Sequence, residues 1–238
     1  MYWWWHGYCV NRGKGISEME KVISAKDATL FIKDGMSVMV GGFMCCGTPE
    51  GIIDEVVETN TKDLTIICND AGYVDRGVGK LIAKGRVKRL IASHIGLNPI
   101  AGQKMHDGEI EVFLIPQGTL VERIRSAGAG LGGVLTPTGI GTIVAEGKRI
   151  IEVQGKQYLL EEPLFADVAL ISGYIVDKSG NVYYRGATRN FNTVMATAAT
   201  TVIAEADCLV DIGEITPECV HTPGLFVDYI VKGSGTCE

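Results

Sequence analysis

Short apolar runs alternate with amphipathic segments through the first half of the chain. The apolar runs are rich in valine, isoleucine and leucine and predict buried strands at 37–43, 64–68, 87–93 and 110–115. The amphipathic segments predict helices at 28–33, 49–57, 78–84 and 119–126. Strands separated by helices of this length imply right-handed crossovers. We therefore expect an α/β fold with an open, mostly parallel sheet flanked by helices.

Local signals mark where the first two helices begin. Ser24 followed by Asp27 matches a capping box, and Gly35 is suited to a left-handed helix end. Thr48 is expected to cap the helix at 49–57, with Pro49 at its first position.

The pattern changes beyond Thr136. Two pairs of short strands flank glycine-bearing turns and predict β-hairpins, at 149–153 with 157–160 and at 168–176 with 181–184. A helix at 192–199 and strands around Val202 and Leu209 follow. We expect β-hairpin additions in this half and a single domain over residues 19–238.

Residues 1–18 contain all three tryptophans of the chain but lack a basic leader region, a small-residue cleavage site and the length of a membrane span. We interpret them as an N-terminal extension, native or not, and expect no membrane partner.

Composition excludes several classes of function. The 22 basic and 28 acidic residues give a net charge of −6 with no polybasic run, so nucleic acid is not an expected partner. The seven cysteines contain no CxxC pair, and no histidines stand at metal-ligand spacing. We expect reduced thiols, a cytoplasmic location and no metal site.

Glycine is abundant, with 31 residues against seven prolines, and many glycines fall where a strand passes into a helix. The first such segment is Gly41-Gly42-Phe43-Met44-Cys45-Cys46-Gly47. Paired glycines allow a sharp turn that presents N–H groups, and the helix start beyond adds partial positive charge, so the turn is suited to an anionic or carbonyl oxygen. A tight turn with no ligand fits the pattern equally well. The segment matches neither a Walker A loop nor GxGxxG.

Polar residues follow two further strands at the same edge of the sheet. Asn69 and Asp70 follow the strand at 64–68, and Gln117 follows the strand at 110–115. The carboxyl edge of an open sheet is where ligands bind, so these side chains are candidates to orient a substrate. An Asx turn is the local alternative for Asp70. Glu122 and Arg125 are spaced as a solvated ion pair on a helix.

The chain offers no activated nucleophile. There is no GxSxG motif, and Cys45 and Cys46, although close to a helix start that would lower a thiol pKa, have no histidine partner. His94 ends a strand at the same edge, where a single histidine favours a structural hydrogen bond over a catalytic role. A cleft with orienting groups and no nucleophile indicates that a second chain supplies one.

Taken together, several segments resemble the α subunit of class I CoA-transferases, and most closely that of the acetate/acetoacetate and 3-oxoacid enzymes. They occur in order from about Glu20 to Gly233. The segments are 41–49, 69–72, 116–125, Thr136-Pro137-Thr138-Gly139 and Arg189-Asn190-Phe191-Asn192.

The resemblance implies a CoA-transferase fold and a ping-pong reaction. CoA moves between an acyl-CoA and a short-chain acid such as acetate, butyrate or acetoacetate through a glutamyl-CoA thioester. It implies that the nucleophilic glutamate belongs to a β subunit in an α2β2 or similar heteromer, so that no catalytic residue is expected here. Coenzyme A is then a substrate, and no permanently bound cofactor is expected.

The resemblance also assigns roles to individual residues. The segment Gly41 to Gly47 matches the part assigned to CoA, Asn69 and Asp70 match an active-site pair, and Gln117 matches a residue beside the partner's glutamate. Asp70 departs from the Asn-Asn pair of the animal-type enzymes, and an ionised carboxylate there would disfavour a second negative charge on the substrate. The alternatives are a sugar-phosphate isomerase or a ligand-sensing module on the same fold.

Overall fold

The computed structural model describes residues 21–235, so the interpretation of residues 1–18 falls outside the described part of the chain. The strands are β1 Val22–Ile23, β2 Ser37–Val40, β3 Leu64–Cys68, β4 Val87–Ala92, β5 Glu111–Leu114, β6 Val134–Thr136, β7 Ile150–Val153, β8 Lys156–Glu161, β9 Ala166–Asp177, β10 Val182–Tyr183, β11 Ala199–Val210 and β12 Tyr229–Lys232. The α-helices are α1 Ala25–Ala28, α2 Glu50–Glu58, α3 Val78–Ala83, α4 Pro99–His106, α5 Gln117–Gly128 and α6 Asn192–Met195.

One large sheet organises these elements. Its strand order is β1-β12-β11-β9-β2-β3-β4-β5, every neighbouring pair in that order is parallel, and β10 pairs antiparallel with β9. A separate antiparallel sheet has the order β6-β8-β7 and contains the predicted hairpin at Gln154-Gly155. The expected fold class, an open and mostly parallel sheet with hairpin additions, is confirmed.

The sheet buries both of its faces. On β2, Val38 and Val40 pack with the residues of α1 to α4, whereas Met39 between them packs with the residues of α5 and α6. This alternation follows from the two-residue period of a strand. Helices therefore cover both faces of the sheet. The loops that follow the strands lie at its carboxyl edge.

The start of α2 differs from the prediction. Pro49 occupies the N-cap position without a capping side chain and the helix begins at Glu50. Thr48 is not the cap, because its hydroxyl donates instead to the carbonyl of Gly41 at 3.1 Å and so closes the preceding turn. The cap at Ser24 is confirmed, since its Oγ accepts from the N–H of Asp27 at 3.0 Å.

Other differences have local causes. Helix α4 was not predicted; it is short, only Ala101 of its residues is buried, and it is capped by Asn98, whose Oδ1 accepts from the N–H of Ala101. The predicted helix at 192–199 ends at Met195, and the two strands predicted around Val202 and Leu209 are one continuous strand, β11. Cys45, Cys46, Cys68 and Cys219 are free thiols. No helix within residues 21–235 is long and apolar enough to cross a bilayer.

A buried carboxylate from β11 caps helix α2. The two oxygens of Glu205 accept from the backbone N–H groups of Gly51 at 3.1 Å and Ile52 at 2.7 Å, which have no partner within the helix. Glu205 is 6% exposed, and burial raises its pKa against the opposing effect of these hydrogen bonds. A Cβ on Gly51 would lie 3.2 Å from Glu205 Oε2, so glycine leaves the room for this contact.

We predict that Glu205→Gln changes how stability depends on pH. The folded pKa of Glu205 lies above its ordinary value of 4.5. Its contribution to the free energy of unfolding is therefore fully present below that ordinary value and is lost as pH rises through the folded pKa. The free energy of unfolding of the wild type minus that of Glu205→Gln should fall over this window and stay constant above it. Urea unfolding of both chains at a series of pH values measures this difference, and a difference independent of pH would contradict the prediction.

Candidate functional site

An open cleft of about 380 Å³ lies at the carboxyl edge of the sheet. It is lined by Phe43, Met44, Asn69, Asp70, Ser93, His94, Leu97 and Gln117. The three residues predicted to orient a substrate therefore meet in one cleft with part of the glycine turn. Gly41, Gly42 and Cys45 instead border a space of about 10 Å³ on the inner side of the turn, which is large enough for no more than a water molecule.

The glycine turn closes on itself. Phe43 and Cys46 exchange backbone hydrogen bonds of 3.1 and 2.8 Å, and the central residues Met44 and Cys45 have φ of 49° and 62°. Positive φ at both central positions is characteristic of a type I′ turn and costs a non-glycine residue about 1–2 kcal/mol. The N–H of Met44 donates to Asp70 Oδ2 at 2.8 Å, which holds the strained turn against the next loop.

Most N–H groups of the turn are not available to a ligand, in contrast to the prediction from the sequence. Those of Gly42, Phe43, Met44 and Cys46 are all bonded within the protein, to Asn190 Oδ1, the Cys46 carbonyl, Asp70 Oδ2 and the Phe43 carbonyl. Glu205 occupies the first N–H groups of α2 as well. The expected anion-binding turn is therefore wrong for these groups, because the protein's own acceptors already use them.

Two asparagines brace the turn from the opposite side. Asn190 Nδ2 donates to the Cys46 carbonyl at 2.9 Å. The buried Asn192 donates to the Gly47 carbonyl at 2.9 Å and accepts from the N–H of Ser172 on β9 at 3.1 Å. A Cβ on Gly41 would lie only 1.8 Å from Asn192 Oδ1, so glycine is required for this packing.

A chain of side-chain hydrogen bonds runs across the floor of the cleft. Gln117 Nε2 donates to Asn69 Oδ1 at 2.6 Å, and Asn69 Nδ2 donates to Asp70 Oδ2 at 2.8 Å. Ser93 Oγ donates to the Asn69 carbonyl at 2.7 Å. This chain fixes the orientation of Gln117, which begins α5, and leaves the amide its second N–H.

Asp70 connects this chain of hydrogen bonds to the glycine turn. It is 7% exposed, and its carboxylate accepts from the N–H of Met44, the side chain of Asn69 and the N–H of Gly72. The bond to Gly72, two residues on, is the Asx turn that was the local alternative. The Asx turn is therefore formed by a residue that also borders the cleft.

Sequence reasoning missed several supporting residues. Asn98 is buried, and its Nδ2 donates to the Ala71 carbonyl at 3.0 Å, which fixes the loop after β3. The roles of Ser93, Asn192 and Glu205 were also missed. An acidic residue within a largely apolar run was the available signal for Glu205, but no local pattern reveals contacts between segments so far apart in the chain.

Other candidates are settled by their surroundings. Cys45 is buried, and burial raises the pKa of its thiol, so the expected lowering by the helix start is wrong for this residue. Glu122 and Arg125 form the predicted exposed ion pair at 3.1 Å.

His94 lines the cleft and its ring makes no hydrogen bond to the described residues, so the predicted structural bond is not formed. Within residues 21–235 no three potential ligands cluster to hold a metal ion.

Comparison with known proteins gives consistent matches. A family model described as coenzyme A transferase matches residues 22–233. The chain is 55% identical to the acetoacetyl-CoA:acetate/butyrate CoA transferase alpha subunit of Clostridium acetobutylicum over 89% of this chain and 97% of that protein. It is 51% identical to the acetate CoA-transferase subunit alpha of Escherichia coli K12 over 89% and 96%.

The fold also matches a solved structure. An acyl-CoA transferase from E. coli O157:H7, described as a thioester complex with CoA, superposes with a TM-score of 0.79 at 24% identity. The match covers 91% of this chain and 48% of that chain, so this chain spans about half its length. At 24% identity this match supports a shared fold and nothing more specific.

We predict that Asn192→Ala lowers the free energy of unfolding by about 2–4 kcal/mol, because it leaves the buried N–H of Ser172 and the half-buried carbonyl of Gly47 unpaired. Urea unfolding measures the effect. The exposed Asn60, changed to alanine, is the matched control and should alter stability by less than about 0.5 kcal/mol.

The close approach of Asn192 to Gly41 allows a second test of the role of Asn192. Gly41→Ala should destabilise the wild type more than it destabilises the Asn192→Ala background, where the obstructing carboxamide is gone. Additive effects of the two substitutions would show that Asn192 does not brace the turn in this way.

Proposed function

The chain belongs to the coenzyme A transferase family, and on that premise we propose that it is the α subunit of a heteromeric enzyme that moves CoA between an acyl-CoA and a short-chain acid. The acids proposed are acetate, butyrate and acetoacetate, in keeping with the names of its relatives. The observation that carries the proposal is the oriented pair of Asn69 and Gln117 in a cleft beside the glycine turn.

The composition of the cleft favours a nucleophile supplied by another chain. Among its described lining residues the only carboxylate is that of Asp70, which three donors already engage. A carboxylate held in this way is a poor nucleophile, because attack would require it to give up those bonds. We therefore propose that a β subunit completes the cleft and contributes a glutamate.

The proposed reaction has two covalent stages. The partner's glutamate attacks the thioester carbonyl to give an acyl-glutamyl anhydride and CoA thiolate, which then attacks the glutamyl carbonyl and releases the first acid. The second acid reverses these steps on the glutamyl thioester, forming a new anhydride from which CoA thiolate returns to the acyl carbonyl. Gln117 has an N–H free to stabilise the oxyanion that forms in each attack.

In this proposal the segment Gly41 to Gly47 contacts CoA through its shape and side chains. Phe43 and Met44 are 41% and 43% exposed and form an apolar wall of the cleft beside the amides. Such a wall is suited to the thioester end of CoA, which is uncharged, and excludes water from it.

The used N–H groups weigh against the alternative of a sugar-phosphate isomerase. A phosphate site needs N–H donors or cations, yet the turn donates internally and the carboxylate of Glu205 closes the start of α2. No lysine or arginine is among the described residues that line the cleft.

The division of labour predicts that the purified chain alone transfers no CoA and that addition of the β subunit restores transfer. The assay follows acyl-CoA exchange with acetate for each subunit and for the mixture. Transfer by the isolated chain would refute the proposal that the nucleophile is on the partner.

We predict that Gln117→Ala slows transfer by the assembled enzyme by about 10- to 1000-fold, the range for loss of one polar contact to a reacting centre. The matched control is Gln103→Ala, on the exposed surface of α4 where Gln103 pairs with Asp107, and it should leave the rate unchanged. Steady-state kinetics with unfolding curves separates loss of rate from loss of fold. An unchanged rate in Gln117→Ala would remove this residue from the site.

A further inference from the structure

His94 differs from the other polar side chains in the cleft. Asn69, Asp70, Ser93 and Gln117 all bond to one another or to nearby backbone. The ring of His94 lines the same cleft without a hydrogen bond to any described residue. Beside the second N–H of Gln117, the ring of His94 is therefore a donor in the cleft that is left for a ligand.

The position of His94 is nevertheless fixed. Its carbonyl accepts from the N–H of Ala71 at 3.1 Å, and it pairs in parallel register with Asp70 beyond the end of β4. A Cβ on Gly96 would lie 2.8 Å from His94 Nε2, so the ring rests in space that this glycine leaves open. The backbone thus places the exposed imidazole at the cleft, where the ring has no polar partner among the described residues.

The rest of the cleft limits what such a ring can bind. Its lining contains no lysine or arginine to hold a second carboxylate, and its carboxylate, Asp70, is already satisfied. Phe43, Met44 and Leu97 offer apolar surface. A short alkyl chain that carries one uncharged acceptor matches this combination, since the chain packs on the apolar side and the acceptor meets the ring.

We propose that His94 is a specificity-determining residue whose ring N–H donates to the 3-oxo oxygen of an acetoacetyl group. This inference rests on the proposed function. Butyryl and acetoacetyl chains have the same length and differ at this oxygen, so the hydrogen bond favours the 3-oxoacid. The two amides of Asn69 and Gln117 serve the reacting carbonyl, and His94 serves the distal one.

The test compares acetoacetyl-CoA with butyryl-CoA as donors to acetate, using the complex of this chain with its β subunit. His94→Phe keeps a ring of similar shape and removes the donor. It should lower kcat/KM for acetoacetyl-CoA by about 5- to 30-fold, as for one lost hydrogen bond, and change that for butyryl-CoA by less than about 2-fold. The exposed His106, changed to Phe, is the matched control and should affect neither donor.

Further variants and outcomes complete the test. An equal fall with both donors, or no change with acetoacetyl-CoA, overturns the proposal for His94. If His94→Phe does not assemble with the β subunit, His94→Gln and His94→Ala replace it. Gln keeps an N–H and Ala does not, so an equal preference for acetoacetyl-CoA over butyryl-CoA in these two variants also overturns the proposal. A wild-type complex that transfers CoA from neither donor would instead contradict the proposed function.

Discussion

The carboxylate of Asp70 joins the two loops on which the cleft depends. Holding Met44 and Cys45 at positive φ costs about 1–2 kcal/mol each. A hydrogen bond to an ionised group contributes about 1.5–3 kcal/mol, and Asp70 accepts three, one of them from the strained residue Met44. The network therefore offsets the strain, and the same carboxylate orients Asn69 and, through it, Gln117. Loss of Asp70 would release the turn and misalign the amides together.

The parallel sheet explains why Asp70 can contact the glycine turn. Strands β2, β3 and β4 are parallel neighbours, so the loops that follow them emerge side by side at one edge. Helix α2 is fixed by Glu205 from β11, and the glycine turn by Asn192 of α6. Each loop is thus anchored to an element formed later in the chain. The rigidity of the site comes from contacts with elements on both sides of β2.

The sequence predicted the parts of this structure that local periodicity encodes. The strands β2 to β5 and helix α3 followed from short apolar runs and amphipathic spacing, and the placement of Asn69, Asp70 and Gln117 at one edge followed from strand ends. The predicted burial is wrong for β5, which is mostly exposed because it is the last strand at the edge of the sheet. The contacts of Glu205 with Gly51 and of Asn192 with Gly47 join residues more than 140 positions apart, and no local pattern encodes them. The same contacts explain the main error at the site. Free N–H groups were expected at the glycine turn because its sequence shows the donors and not the distant acceptors that occupy them.

The occupied N–H groups of the glycine turn limit what the site can bind. A turn with free donors would attract anions, including the phosphates of CoA, whereas the N–H groups of Gly42, Phe43, Met44 and Cys46 are already bonded and the turn exposes the apolar side chains of Phe43 and Met44. The anhydride and thioester of the proposed reaction are uncharged at their acyl groups, and charge appears on oxygen only as each carbonyl is attacked. Donors that are oriented in advance but not paired with an anion stabilise that transient charge best, because no competing ligand must first leave. Gln117, held by Asn69 and retaining one free N–H, meets this condition before any partner subunit arrives.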